Sequence, residues 1–231
     1  MERVPDSNGA AAAKAERLQL ADRLGRLYTA VVADCLDRVG LRNQVMAPHI
    51  RPLYPEAKMA GIAATVEVVS VDGVPSNPDD WYRGELQAID RLTEGEVMVV
   101  SKSGGSYWGE LLATAARYRG ARGVVVDGYC RDTEALIEMQ FPTFAAGILC
   151  SDSLGRIDVK AAGVPIVSGG VNVNPGDLVL ADHDGIVVLP LQAAGEVLRL
   201  AEEKVSGENK VREELARGRG LWETFRAYGV I

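Results

Sequence analysis

Apolar residues first recur at three- and four-residue spacings. Leu18, Leu20, Leu24, Leu27, Tyr28, Val31, Val32 and Leu36 keep this rhythm, which predicts helix over residues 15–39 with a break near Thr29. Gly40 stands where a helix C-cap is expected. The proline-containing connection QVMAPHIRPLYPEAKMAG follows, and then β-branched residues crowd into AGIAATVEVVSV, residues 60–71, a predicted strand. DGVPSNPDD, residues 72–80, is rich in turn formers and reads as a loop. Trp81, Leu86 and Ile89 give a short helix over residues 81–91 its apolar side. EVMVVSK is the next strand, SGGSYWG a loop, and GELLATAARYRG a helix closed by Gly120. GVVVDG is a strand, a helix begins near Asp132, and PTFAAGILC is a further strand.

Between residues 164 and 190 the texture changes. Short apolar runs are separated by Gly-Gly, Asn-Pro-Gly and Asp-His-Asp-Gly turns, which predicts an antiparallel meander. Residues 191–215 form a long charged amphipathic helix, and a short helix covers residues 221–228. Strand, glycine loop, helix and strand in series make a βαβ unit, with parallel strands and a right-handed crossover. The expected architecture is a single α/β domain over residues 15–231. It has a mixed sheet, N-terminal helices and an extended C-terminal helical arm from about residue 191. Residues 1–14 read as a disordered lead-in.

Composition narrows the chemistry. With 231 residues, 47% of them hydrophobic, the chain is long enough for a substantial core. The net charge of −7 argues against broad binding to nucleic acid or anionic membrane, both of which need basic patches. No run approaches the roughly 18 apolar residues of a membrane helix, and the N-terminus lacks the apolar core of a signal peptide. A cytoplasmic location follows as an expectation. Cys35, Cys130 and Cys150 match no zinc spacing and read as reduced, mostly buried thiols. Cys130 touches the segment of greatest chemical interest, so a ligand-lining thiol is a minor alternative.

That segment is GVVVDGYCRDTEAL, residues 123–136, where Arg131 and Asp132 sit side by side just past an apolar strand. One helix begins near Gly109 and a second near Asp132. If their strands are parallel neighbours, both helix starts lie at the carboxyl edge of the sheet, where ligands of open α/β folds bind. The first amides of the Gly109 helix, on Glu110, Leu111 and Leu112, lack helical acceptors and favour an anion. Glu110, Arg131 and Asp132 can therefore converge. Two carboxylates suit a hard cation, Mg²⁺ or Mn²⁺, and the guanidinium suits a carbonyl or carboxylate oxygen. The simpler reading of Asp132 alone is a helix N-cap. Asp182 and Asp184 around His183 read as turn chemistry rather than a metal site, and Lys102 is a weak Schiff-base candidate.

WGELLATAARYRGARGVVVDGYCRD resembles the signature of class II pyruvate aldolases that cleave 4-hydroxy-4-methyl-2-oxoglutarate and 4-carboxy-4-hydroxy-2-oxoadipate. It is equally similar to that of their non-aldolase relatives, the regulators of ribonuclease activity A. The shared pattern is an acidic residue, twenty positions, then Arg-Asp, here Glu110 and Arg131-Asp132. TAVVADCLDRVG, IRPLYPEAKMAGIAATV and GDLVLADHDGIVVLP extend the resemblance over residues 24–229. It implies a β/β/α layered domain, assembled as a homotrimer or homohexamer. It implies a metal-dependent carbon–carbon lyase that releases pyruvate from a 4-hydroxy-2-oxo acid and also decarboxylates oxaloacetate. Asp132 would bind the metal directly, and Glu110 through water, although the aldolases commonly carry Asp at that place. Arg131 would contact the 2-oxo oxygen, and Gly109, Leu111 and Leu112 would receive the substrate carboxylate. Glu208 of an adjacent subunit would complete the metal shell through water, with Glu203 and Glu213 as alternatives. The ribonuclease regulators typically lack the Asp of the pair, so Asp132 favours an enzyme over a non-catalytic binding protein. A relative acting on another 2-oxo or sugar acid is a further alternative, with the 72–81 loop shaping that choice.

Overall fold

The computed structural model describes residues 7–230. Helix α1 (Ser7–Leu24) and α2 (Thr29–Arg38) lead into β1 (Arg51–Pro52), β2 (Met59–Ser70), α3 (Arg83–Asp90) and β3 (Glu96–Val100). Next come β4 (Ser106–Trp108), α4 (Glu110–Tyr118), β5 (Gly123–Cys130), α5 (Thr133–Glu138) and β6 (Thr143–Ile148). The chain continues through β7 (Ile157–Ala162), β8 (Ile166–Ser168), β9 (Val171–Val173), β10 (Leu178–Ala181) and β11 (Ile186–Leu189). It ends in α6 (Ala194–Ala216) and α7 (Leu221–Tyr228).

The main sheet runs β1-β6-β5-β3-β2-β10-β11, with β4 added to β5 and β7 to β2. Strands β2, β3, β5 and β6 are mutually parallel, whereas β1, β7, β10 and β11 pair antiparallel. Side-chain alternation divides the core into layers. Val97, Val99, Val125, Val179 and Val188 face the β8–β9 hairpin through Ile166, Val171 and Val173. Met98, Val100, Val124 and Val126 face α3, α4 and α5. Leu178, Leu180, Val187 and Leu189 face α1, α2 and α6. The result is the expected β/β/α layering around a mixed sheet. Covering on both faces is why EVMVV and GVVV read as unbroken apolar runs rather than alternating ones.

Several expectations change in detail. Helix α1 begins at Ser7, so the lead expected to be irregular over residues 1–14 is helical from that point; residues 1–6 lie outside the described residues. SGGSYWG contains a short strand, β4, whose Trp108 registers with Cys130 of β5. Strand β7, absent from the sequence pattern, pairs with β2 across a register shift. Of the three apolar residues assigned to the helix over residues 81–91, only Ile89 is buried; Trp81 precedes α3 and is exposed, as is Leu86. The Asp182 turn serves as a cap. Its carboxylate accepts from the Thr29 amide at 2.8 Å and the Thr29 hydroxyl at 2.6 Å, fixing the start of α2.

Candidate active site

Strands β4 and β5 are parallel neighbours, so α4 and α5 start side by side at the carboxyl edge. Their starts are tied together. The Glu110 amide donates to Asp132 Oδ2 at 3.2 Å. Asp132 occupies the N-cap place of α5 but makes no cap hydrogen bond there. Its backbone is left-handed, φ 56° and ψ 37°, a conformation that Asp tolerates better than most residues. That turn points its carboxylate away from its own helix and across to α4. Gly109 permits the approach: a Cβ there would lie 2.6 Å from Asp132 Oδ2.

The Arg131 side chain runs beside this carboxylate, with Nε 3.9 Å from Asp132 Oδ2 and a terminal nitrogen 3.3 Å from Asp152 Oδ1. Burial opposes ionisation of Asp152, but the Tyr82 hydroxyl, which donates at 2.5 Å, and Arg131 outweigh it and hold the carboxyl below its ordinary range. Glu110 stands at the first turn of α4, where Thr114 donates to its Oε1 at 2.8 Å. The Glu110 amide is taken by Asp132 and the Ala113 amide by the Gly109 carbonyl. The amides of Leu111 and Leu112 lie between them, ahead of the first helical hydrogen bonds, and remain open to an anion.

A cavity of about 280 Å³ opens here, lined by Gly109, Leu111, Leu112, Arg131 and Asp132 on one side and by Tyr82, Glu85, Tyr107, Trp108 and Ser153 on the other. Two of the three non-glycine residues with positive φ among the described residues, Tyr82 and Asp132, line it. Three buried side-chain polar atoms among the described residues lack a hydrogen-bond partner: Tyr107 Oη, Trp108 Nε1 and Asp152 Oδ1. Tyr107 and Trp108 line this cavity. The Asp152 oxygen keeps only its misaligned contact with Arg131. Buried donors and acceptors without partners call for a ligand or water to complete them.

Four groups named from the sequence, Glu110, Leu111/Leu112, Arg131 and Asp132, are thus gathered at one edge. Glu208 is not among them within the single chain. It lies on α6, accepts a hydrogen bond from Tyr28 and sits 3.7 Å from Lys204. Glu203 is bonded by Arg199 at 2.8 Å, and Glu213 faces Arg217 at 3.9 Å. Cys130 is fully buried beneath the site, and burial raises its thiol to about 11, so it is a core residue. Lys102 is exposed and outside the cavity. Sequence reasoning missed Glu85, Tyr82, Asp152 and Ser153, which arrive from distant segments. Among the described residues no three His, Cys, Asp or Glu side chains converge as a ready metal cage. What the edge does offer, an open carboxylate with oxygen donors only, fits a hard cation that keeps most of its waters.

The fold and this edge define a layered α/β protein in which two helices start side by side at the carboxyl edge of the sheet. A family model described as RraA-like, Aldolase/RraA, matches residues 29–188, and the chain belongs to that family. A Halalkalibacterium halodurans protein carrying the name "Putative 4-hydroxy-4-methyl-2-oxoglutarate aldolase" is 32% identical, with 80% of this chain and 82% of that one covered. Legionella pneumophila DlpA is 28% identical over 80% of this chain, which spans only 31% of DlpA's length. The solved structure of Streptomyces coelicolor RraAS2, described as an unusual member of the RNase ES inhibitor RraA family, superposes with a TM-score of 0.75. It is 28% identical, with 85% and 98% of the two chains covered. No helix among the described residues is long and apolar enough to cross a membrane.

Proposed function

We propose that this chain is a divalent-metal-dependent lyase that cleaves a 4-hydroxy-2-oxo acid to pyruvate and a carbonyl product, and decarboxylates oxaloacetate through the same enolate. The observation that carries the reading is the Asp132 carboxylate, turned out of its own helix to stand over the open start of α4 with Arg131 beside it. The aldolase names of relatives such as the H. halodurans protein support it.

In this reading the amides of Leu111 and Leu112, behind Gly109, bind the substrate carboxylate. Arg131 holds the 2-oxo oxygen and stabilises the negative charge that grows there as the C3–C4 bond breaks, the kind of preorganised interaction that usually dominates catalysis. Glu110, oriented by Thr114, orders the water that takes the proton of the C4 hydroxyl. Asp132 would hold Mg²⁺ or Mn²⁺, with Glu110 and an adjacent subunit's Glu208 reaching the ion through water in a homotrimer or homohexamer. When bound, the cation supplies Lewis-acid stabilisation of the same oxyanion. A net charge of −7 disfavours nucleic acid as a partner, so an acidic substrate depends on the local positive charge of Arg131 and the cation.

The test is pyruvate release by Arg131→Ala and Asp132→Ala. Each should lower kcat/KM at least about a hundredfold, the scale of losing an oxyanion-stabilising group. Activity surviving both substitutions contradicts the reading. The likeness to RraAS2 favours a second one, a non-catalytic binding protein, which predicts no turnover at all.

A further inference from the structure

The cavity contains a carboxyl group that the mechanism above leaves unused. Glu85 lies in the first turn of α3, is only 5% exposed, and lines both this cavity and an adjoining one of about 370 Å³ beneath residues 71–76. Gly84 explains its burial. A Cβ at Gly84 would lie 2.7 Å from the Val159 Cβ, so α3 rests directly on β7 and carries the next side chain inward. The Ser153 hydroxyl donates to Glu85 Oε2 at 3.1 Å.

The charged and titratable groups around Glu85 are few. Asp152 and Asp158 disfavour its ionised form, and Arg131 favours it. Tyr107, whose hydroxyl has no partner, feels the Glu85 charge, and Tyr82 is committed to Asp152. Burial is the largest influence and, with the two aspartates, pushes the Glu85 carboxyl up from 4.5 to about 7 despite the Ser153 hydrogen bond. Glu85 therefore keeps its proton near neutral pH, where an acid–base group works best.

The lyase reading needs such a group. Bond cleavage leaves an enolate, and its C3 must gain a proton to become the methyl group of pyruvate. Arg131 is committed to the 2-oxo oxygen, and backbone amides do not give up their protons. Resting on the lyase reading, we propose that Glu85 is the acid that protonates C3 of the pyruvate enolate. As the C3–C4 bond breaks, its electron pair passes into the enolate, shared between C3 and the 2-oxo oxygen. The Glu85 carboxyl proton then forms the new C3–H bond. The carboxylate left behind regains a proton from water, which returns the one taken from the C4 hydroxyl. Substrate becomes pyruvate plus a carbonyl compound, with no net proton gained or lost.

The experiment uses the full chain with Mg²⁺ and two readouts: deuterium exchange into the pyruvate methyl group by NMR in D₂O, and pyruvate release from a 4-hydroxy-2-oxo acid. Glu85→Gln keeps the size of the side chain and an acceptor for Ser153. It should lower methyl exchange at least about a hundredfold, within the range for a lost general acid, and abolish the inflection near pH 7 in the pH profile. Glu85→Asp should recover part of the exchange. Carboxyl carbon NMR of glutamate-labelled protein should show one group titrating near pH 7 that Glu85→Gln removes. A native enzyme that cleaves and exchanges, beside a folded Glu85→Gln variant within about threefold of it, overturns the role of Glu85 alone. A native enzyme that neither cleaves nor exchanges overturns the lyase reading and this assignment with it.

Discussion

Burial of Glu85 has a consequence for stability that requires no substrate. Its folded-state value, about 7, lies above the 4.5 of an exposed carboxyl. Between those two values the folded chain binds more protons than the unfolded chain, so stability falls as pH rises through the window. The contribution is complete below about pH 4.5 and gone above about pH 7. Each tenfold difference in proton affinity is worth about 1.4 kcal/mol, so the interval amounts to about 3 kcal/mol. Glu85 is almost wholly buried, so solvent screening removes little of this. Glu85→Gln cannot titrate, and every other group is common to both chains. The assay is urea unfolding of native protein and Glu85→Gln from about pH 4.5 to about pH 8, comparing the two stabilities at each pH. Glu85→Gln should gain about 3 kcal/mol on the native chain across that range. A difference that stays constant to within about 1 kcal/mol would show that Glu85 ionises like an exposed residue, and the reasoning from burial would be wrong.

Other outcomes follow from the same geometry. Gly109→Ala places a methyl group against Asp132 Oδ2; pyruvate release should fall about a hundredfold, the cost of misplacing a reacting group by about 1 Å, while circular dichroism stays native. Of the three thiols, Cys150 is exposed and Cys35 and Cys130 are buried. A thiol reagent under native conditions should therefore titrate one cysteine rapidly and the other two only on unfolding. Asp182→Ala removes the acceptor of both Thr29 hydrogen bonds and should cost about 1 kcal/mol in urea unfolding, the usual value of a lost helix cap, without changing any activity.

The legible parts of the fold were those written in local pattern. Strands β3 and β5 announce themselves as apolar runs because both faces of the sheet are covered, and α4 stands between glycines that mark its ends. The same pattern put Glu110, Arg131 and Asp132 at two neighbouring helix starts, and the parallel pairing of β4 with β5 joins them. Strand β7 escaped because its alternation of Ile157, Val159 and Ala161 with polar residues spans only six positions, and its partner, β2, lies far away in the chain. Glu85 escaped for a related reason. A glutamate in an amphipathic helix reads as a solvent residue, and only the approach of Gly84 to Val159 buries it. The single local hint was that glycine, at the start of a helix against which something had to pack closely. Tyr82, Asp152 and Ser153 carry no spacing signal, because segments some 70 residues apart bring them together.

Release of pyruvate at the edge formed by Glu110, Arg131 and Asp132 is the central proposal. The most direct measurement is pyruvate production, coupled to lactate dehydrogenase, over a panel of 4-hydroxy-2-oxo acids and oxaloacetate, with Mg²⁺ and with chelator. At least one member should be turned over, with a rate that depends on the added metal and disappears on chelation. Pyruvate from none of them, by a folded protein supplied with Mg²⁺ or Mn²⁺, would contradict the proposal.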